Sequence, residues 1–214
     1  MEKLDHELLK AFQNTPHTKI DYLFRLRDDN KFLFLSDEVI NFMKENNDYS
    51  KAARIAVLKL DHLYYKNDTL YAKIATSTSD PNNKPYVINE DSQRVLEELM
   101  ALINDHGTPR MRLRAAMYVA YHHSIHNRFA LARDLLLKTH IGEIIHAQDI
   151  GSQIIYNRTV AQIGMAAFRV GLIDEDHDIL LEVCQTAKLR EVLAQGFSRT
   201  PDKPVELEKE ELKR

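Results

Sequence analysis

The chain contains 214 residues, of which 44% are hydrophobic, and this is enough to bury a substantial core in one elongated domain or two small ones. The one cysteine, Cys184, excludes an intramolecular disulfide, and the first ten residues, MEKLDHELLK, lack the apolar core of a signal peptide, so we expect a cytosolic protein. No stretch approaches the roughly 20 apolar residues that cross a bilayer, so no membrane contact is expected. The formal net charge of -3 argues against a uniformly basic nucleic-acid-binding protein but permits a local basic patch.

Helices are the secondary structure that the sequence favours throughout, so we predict an all-α fold. Only 6 Gly and 6 Pro occur, and the apolar residues fall in runs long enough for helices rather than in short alternating stretches. Residues 1–75 are predicted to form N-terminal helical hairpins, in which Ser50 caps one helix. Residues 76–91 are rich in Ser, Thr, Asn and Pro, which predicts a surface loop.

A second series of helices is predicted over residues 92–198. Its first helix is expected to end at Gly107 as a C-terminal cap, and Thr108 and Pro109 supply the N-cap and first turn of the next helix. That next helix carries mostly apolar side chains at spacings of three and four, the pattern of a buried stripe. The members of this stripe are Met111, Ala115, Tyr118, His122 and Ile125.

Two turns with a common pattern separate helices in this second series. Asn127 stands where a left-handed turn residue is expected, with Phe129 two residues later and Ala132 five residues later. Gly171 occupies the same place after the following long helix. We interpret Asn127 and Gly171 as structural hairpin turns. Weaker versions of the pattern are predicted at Asn67 and at Asn30.

Repeated helical hairpins of this length indicate a right-handed α-solenoid of the tetratricopeptide or HEAT type, in which each hairpin buries a face of its neighbour. The small residues Ala161, Gly164 and Ala167 are expected to let adjacent helices approach closely. Residues 199–214 are nearly all charged after two prolines, so we predict a tail or linker there.

Three histidines, His122, His123 and His126, lie within five positions and could share one metal ion if they are helical. The sequence around them offers no paired cysteines, no HExxH pattern and no carboxylate in the same turn. We therefore predict no metal or other cofactor. In this interpretation His122 packs between helices, and the other two lie near a helix C-terminus, where an imidazolium is favourable. A metal-dependent enzyme is the less favoured alternative.

Other catalytic signatures are also missing from the sequence. It contains no glycine-rich phosphate loop, no GxSxG elbow and no CxxC motif. Cys184 and His177 are seven residues apart on one predicted helix, and burial in a hairpin core explains them more simply than catalysis. We predict neither a catalytic residue nor a small-molecule substrate.

A basic segment without any acidic residue extends from His106 to Arg133, and it could bind phosphate or an acidic partner. Intramolecular pairing with acidic residues of the preceding helix is the alternative that we favour. The candidate contact residues are Arg110, Arg112, Arg114, Arg128 and Arg133, and the acidic residues are Glu90, Asp91, Glu97 and Glu98.

Several long strings resemble the c subunits of eukaryotic translation initiation factor 3. The strings are YHHSIHNRFALARDLLLKTH (121–140), QIIYNRTVAQIGMAAFRVGL (153–172) and LREVLAQG (189–196), with looser similarity at DYLFRL (21–26) and YYK (64–66). The likeness covers nearly the whole chain and is specific after residue 110.

The resemblance implies a non-enzymatic, cytoplasmic scaffold that helps assemble the initiation factor on the small ribosomal subunit. Its partners would be other subunits, notably another PCI subunit, and the small ribosomal subunit with its rRNA. Residues 92–198 would be the helical-repeat part of a PCI region, with the winged helix absent and 199–214 leading toward it. Whether the chain is a fragment or a short relative stays open. The alternative is an adaptor of the same architecture from a proteasome lid or signalosome.

Overall fold

A computed structural model of the protein describes residues 1–16, 18–68 and 92–184. Within these ranges the secondary structure is helical, with short turns and no β-strand, so the predicted all-α fold is confirmed. The predicted loop at residues 76–91 and the predicted tail at residues 199–214 lie outside the described residues.

The described residues form nine α-helices and one turn of 3-10 helix. The α-helices are α1 (Glu2–Asn14), α2 (Ile20–Glu45), α3 (Tyr49–Leu63), α4 (Ser92–His106), α5 (Pro109–Ile125), α6 (Phe129–Thr139), α7 (Ile141–Ile144), α8 (Ile150–Val170) and α9 (Ile173–Cys184). The 3-10 turn, Ile145–Ala147, follows α7 directly.

Local capping chemistry fixes where α5 begins. Thr108 caps α5, because its side chain accepts a hydrogen bond from the backbone N–H of Met111, and Pro109 is the first helical residue, as predicted. The predicted cap at Ser50 is wrong, since α3 begins at Tyr49, two residues earlier than that cap would place it, with Asp48 in the N-cap position. The backbone at Gly107 ends α4 without the left-handed conformation that a glycine cap uses.

Three helices end in the same left-handed turn. Asn47, Asn127 and Gly171 have φ angles of 59°, 59° and 89° and follow α2, α5 and α8. In each turn the next residue's backbone N–H donates to a carbonyl five residues earlier in the helix, at 2.9 Å, which satisfies one of the free carbonyls at the helix end.

The turn at Asn47 was not predicted, although its sequence repeats the pattern found at Asn127. Tyr49 follows two residues later and Ala52 five residues later. The predicted weak versions of the pattern are wrong: Asn30 lies inside the continuous helix α2, and Asn67 does not have a positive φ angle. One asparagine is therefore not sufficient to end a helix, because α2 continues past Asn30 with the helix-favouring residues Lys31, Leu33 and Leu35.

We expect the substitution Gly171→Ala to lower the free energy of unfolding by about 1–2 kcal/mol, because a side chain is strained at a φ of 89°. An added Cβ would meet no described atom within 4 Å, so the loss would report backbone conformation alone. Asn47→Gly at the equivalent turn is the matched control and should be neutral or slightly stabilising. Chemical denaturation of both variants checks this, and equal effects in the two would contradict it.

The helices pack in a repeating arrangement. Helix α5 contacts both α3 and α8, so these three form a central row. Helices α2 and α4 pack on α3, α4 and α6 pack on α5, and α6 and α9 pack on α8. Each of the central helices is thus covered by neighbours on more than one side, as in helical-repeat proteins. The right-handed sense of a solenoid stays a prediction.

Two clusters of buried side chains stabilise this arrangement. The larger cluster contains side chains from α2, α3, α4, α5, α7, the 3-10 turn and α8. Its fully buried members include Leu33, Leu60, Ile103 and Met117. The smaller joins α6 to α8 through Phe129, Ala132, Ile163, Ala166 and Ala167. The expected close approach at Gly164 is confirmed, since a Cβ there would lie 2.7 Å from Cδ2 of Leu180 on α9.

Four ionisable side chains join α1, α2 and the C-terminal end of α3. The ring of His62 lies between two carboxylates: its Nδ1 is 2.8 Å from Oδ1 of Asp29, and its Nε2 is 2.7 Å from Oδ1 of Asp5. The ammonium of Lys66 donates to the other oxygen of Asp29. At most 8% of the surface of Asp29, His62 or Lys66 is exposed. We call these four residues the N-terminal ion cluster.

Hydrogen bonding fixes the charge of His62. Carboxylate oxygens can only accept, so both ring nitrogens donate and the ring is an imidazolium. Burial alone would lower the pKa of His62, but its hydrogen bonds to Asp29 and Asp5 raise that pKa to about 9. Burial would raise the pKa of Asp29, yet the hydrogen bond from His62 and the charge of Lys66 hold it below its ordinary value. The N-terminal ion cluster therefore combines two cations with two carboxylates.

Candidate functional site

The three neighbouring histidines lie at the C-terminal end of α5. His122 and His123 are buried, with 1% and 6% of their surfaces exposed, and His126 is the C-cap residue. The expected burial of His122 between helices is confirmed. The rings of His122 and His126 are in contact, with 4.5 Å between centroids and a tilt of 46° between their planes, as the spacing of four residues on a helix allows.

Two polar residues from other segments lie next to His122 and His126. Asp68 lies after the end of α3, and Ser92 is the first residue of α4. The hydroxyl of Ser92 donates to Oδ2 of Asp68 at 2.6 Å and lies 3.1 Å from Nε2 of His122. Nε2 of His126 is 3.7 Å from the same oxygen of Asp68. We call Asp68, Ser92, His122 and His126 the histidine cluster.

Burial keeps His122 neutral at physiological pH. It lowers the pKa of His122 to about 3, and electrostatic interaction with the neighbouring His126, His123 and Arg128 acts in the same direction. Burial lowers the pKa of His123 as well, with a further contribution from Arg128. Nδ1 of His122 is buried and has no hydrogen-bond partner among the described residues. The ring of His122 therefore presents a neutral imidazole.

The sequence pattern indicated the histidines but neither Asp68 nor Ser92. No carboxylate lies in the same helical turn as the histidines, and Asp68 belongs to the segment after α3. One atom each of Asp68, His122 and His126 lies within 4.8 Å of the other two. Only the packing of α3 and α4 on α5 brings these groups together.

The five candidate contact arginines are spread over two helices and the turn between them. Arg110, Arg112 and Arg114 lie in the first two turns of α5, Arg128 is the N-cap residue of α6, and Arg133 is on α6. Arg110, Arg112 and Arg133 are exposed, and the other two are partly buried. The exposed three are the most accessible to a partner.

The arginines have partners other than those expected. Nη2 of Arg110 is 2.9 Å from Oδ2 of Asp149, the N-cap residue of α8, and Nε of Arg112 donates to the carbonyl of Gly107. The predicted pairing of Arg110 with the preceding helix is therefore wrong. Glu98 pairs with Arg94 of its own helix. Residues 90 and 91 lie outside the described residues.

Arg114 belongs to an aromatic contact between helices rather than to an open surface. Its Nη2 donates to the hydroxyl of Tyr118 at 2.8 Å, and Tyr118 is fully buried. Tyr118 stacks on Tyr64 at 4.6 Å, and Tyr64 contacts Tyr121 edge-on. These contacts give Arg114 a structural role in joining the end of α3 to α5.

The predicted burial of His177 is wrong, since this side chain is exposed on α9. The side chain of Cys184 lies outside the described part. None of the helices that the structure describes is long and apolar enough to cross a membrane.

Comparison with known proteins identifies one family. The family model described as "Eukaryotic translation initiation factor 3 subunit 8 N-terminus" matches residues 1–214. A protein of Culex quinquefasciatus, named as the C subunit of eukaryotic translation initiation factor 3, is 33% identical over 217 residues, covering 100% of this chain and 23% of the relative. Proteins of the same name from Schizosaccharomyces pombe and Xenopus tropicalis are 31% and 32% identical, and each alignment covers 92% of this chain and 22% of the relative.

Proposed function

Because the chain belongs to the family of N-terminal regions of eukaryotic translation initiation factor 3 subunit 8, we propose that it is a non-enzymatic scaffold in a translation initiation factor complex. Its role would be to hold other subunits of that complex together and to associate with the small ribosomal subunit in the cytoplasm. The family match over residues 1–214 carries this proposal.

The architecture suits a scaffold. The described helices form an array in which α3, α5 and α8 are lined up and flanked by further helices, and such arrays present extended surfaces to partners. The chain spans about a quarter of the length of the relatives that it matches, so the proposal concerns this region's share of the assembly. Another PCI subunit would be one of its partners.

The exposed arginines are our proposed contact with an acidic partner or with rRNA. The ion pair between Arg110 and Asp149 is exposed, and such pairs contribute little to stability, so Arg110 can exchange its partner at small cost. Arg112 lies close by and is also exposed. Complementary charge of this kind orients a partner and speeds association.

We expect the double substitution Arg110→Glu/Arg112→Glu to weaken capture of initiation factor subunits or small ribosomal subunits by about tenfold or more, because both charges are reversed at one end of α5. The measurement is quantitative co-purification of the tagged chain at two salt concentrations. Arg114 stays unchanged, since its bond to Tyr118 is structural.

The control is Lys3→Glu/Lys44→Glu, which reverses two exposed charges on α1 and α2. It should leave capture unchanged. The free energy of unfolding of each double variant should lie within about 0.5 kcal/mol of that of the parent chain. If the Arg110→Glu/Arg112→Glu variant captures as much partner as the parent chain, these two arginines are not the contact surface. Failure of the parent chain to capture any initiation factor subunit would contradict the scaffold function itself.

A further inference from the structure

The histidine cluster combines three potential metal ligands from two separate segments. His122 and His126 lie one helical turn apart on α5, and Asp68 approaches them from the segment after α3. Imidazole nitrogens and a carboxylate oxygen are the ligand types that Zn²⁺ binds outside cysteine-rich sites. We propose that Asp68, His122 and His126 bind a divalent transition-metal ion, with zinc as the preferred ion.

The distances in the histidine cluster fit such a site. One ligand atom of each residue lies within 4.8 Å of the other two. Two ligands on a tetrahedral zinc ion are separated by about 3.3 Å, given zinc–ligand bonds near 2.0–2.1 Å. Oδ2 of Asp68 and Nε2 of His126 are already 3.7 Å apart. This separation is too long for a hydrogen bond and close to that of two ligands on one ion.

The positions of these side chains suit metal binding. His122 is almost fully buried, and its Nε2 lies within the histidine cluster, 3.1 Å from the hydroxyl of Ser92. Asp68 and His126 are only partly buried, which gives an ion access from solvent. Three protein ligands leave one position of a tetrahedral ion for water.

A bound ion would act as a clamp between helices. It would tie the segment after α3 to the C-terminal end of α5, next to the start of α4. An ion that binds the folded chain and not the unfolded chain raises the melting temperature. Zinc binding would thus stabilise the middle of the helical array, and this inference does not depend on the proposed function.

The test uses the 214-residue chain without a polyhistidine tag, stripped of metal by a chelator. We expect calorimetric titration with ZnCl₂ to give one ion per chain, and a hundredfold excess of zinc over the dissociation constant to raise the melting temperature by about 5–10 °C. The visible absorption spectrum of the Co²⁺-loaded chain should be that of a four-coordinate ion. This spectrum reports the coordination independently of any substitution. Absence of stoichiometric binding by the parent chain would overturn the proposal.

Variants assign the ligands. His126→Ala and Asp68→Asn should each weaken zinc binding by at least about tenfold and change the Co²⁺ spectrum. Neither position is fully buried, so both variants are expected to fold, as circular dichroism would show. The control is His140→Ala, which removes an exposed histidine outside the cluster and should bind like the parent. Zinc binding that survives both cluster substitutions, or that is lost equally in the control, would overturn the assignment.

Discussion

The substitution Asp29→Asn is expected to lower the free energy of unfolding by about 3–5 kcal/mol, the range for removing one partner from a buried ion pair. Asp29 is fully buried and accepts from both His62 and Lys66. An asparagine of the same shape keeps one oxygen but loses the negative charge, so two buried cations would face Asp5 alone. Denaturant unfolding followed by circular dichroism measures the loss.

A neighbouring aspartate provides the matched control for this prediction. The side chain of Asp28 is 40% exposed and pairs with Arg25 and Lys31 at 3.5 Å, so Asp28→Asn should cost less than about 0.5 kcal/mol. The double substitution Asp29→Asn/Lys66→Met should recover part of the loss, because it also removes a buried cation that has lost its carboxylate. A cost below about 1 kcal/mol for Asp29→Asn would show that the N-terminal ion cluster does not stabilise the fold.

Raising the pH should destabilise the protein through His62. The pKa of this ring rises from an ordinary 6.5 to about 9 in the folded chain, so its contribution is fully present below pH 6.5 and is lost as the pH rises through 9. That difference corresponds to roughly 3 kcal/mol. Loss of the proton leaves one ring nitrogen without a hydrogen to donate to its carboxylate.

The measurement is the free energy of unfolding between pH 6 and pH values above 9, for the parent chain and for His62→Gln. The variant carries no ionisable group at this position, so its stability should vary much less over the same range. The difference between the two curves isolates His62 from any other group that titrates over this range. Parallel curves would contradict the assignment of an imidazolium to His62.

The turns show how far local sequence patterns lead. Asn127 and Gly171 were identified from their spacing to following residues, and the structure places both in left-handed turns. The same pattern at Asn47 was missed, and the weaker one at Asn30 was wrong because α2 runs through it. A turn depends on hydrogen bonds within about six residues, so its signal is local, but short versions of that signal also occur inside helices.

The candidate sites also combine contacts that the sequence predicted with contacts that it did not. The spacing of His122 and His126 predicted that they share a helix face, and their rings are in contact. Nothing near them in the sequence predicted Asp68 or Ser92. The arginines also found unexpected partners, such as Asp149 for Arg110, because ion pairs on surfaces form with whatever charge the packing brings close.

The sequence by itself determined the helical class, several helix boundaries from α4 onward and the family of this protein, because periodicity, capping and turn chemistry act over a few residues and the matching strings are long. Only the tertiary structure decided which polar groups meet inside it. His62 lies between Asp5 and Asp29, and His122 is linked through Ser92 to Asp68, although each group comes from a different helix or segment. Such contacts have no local signature, since they exist only once apolar packing has fixed the positions of the helices.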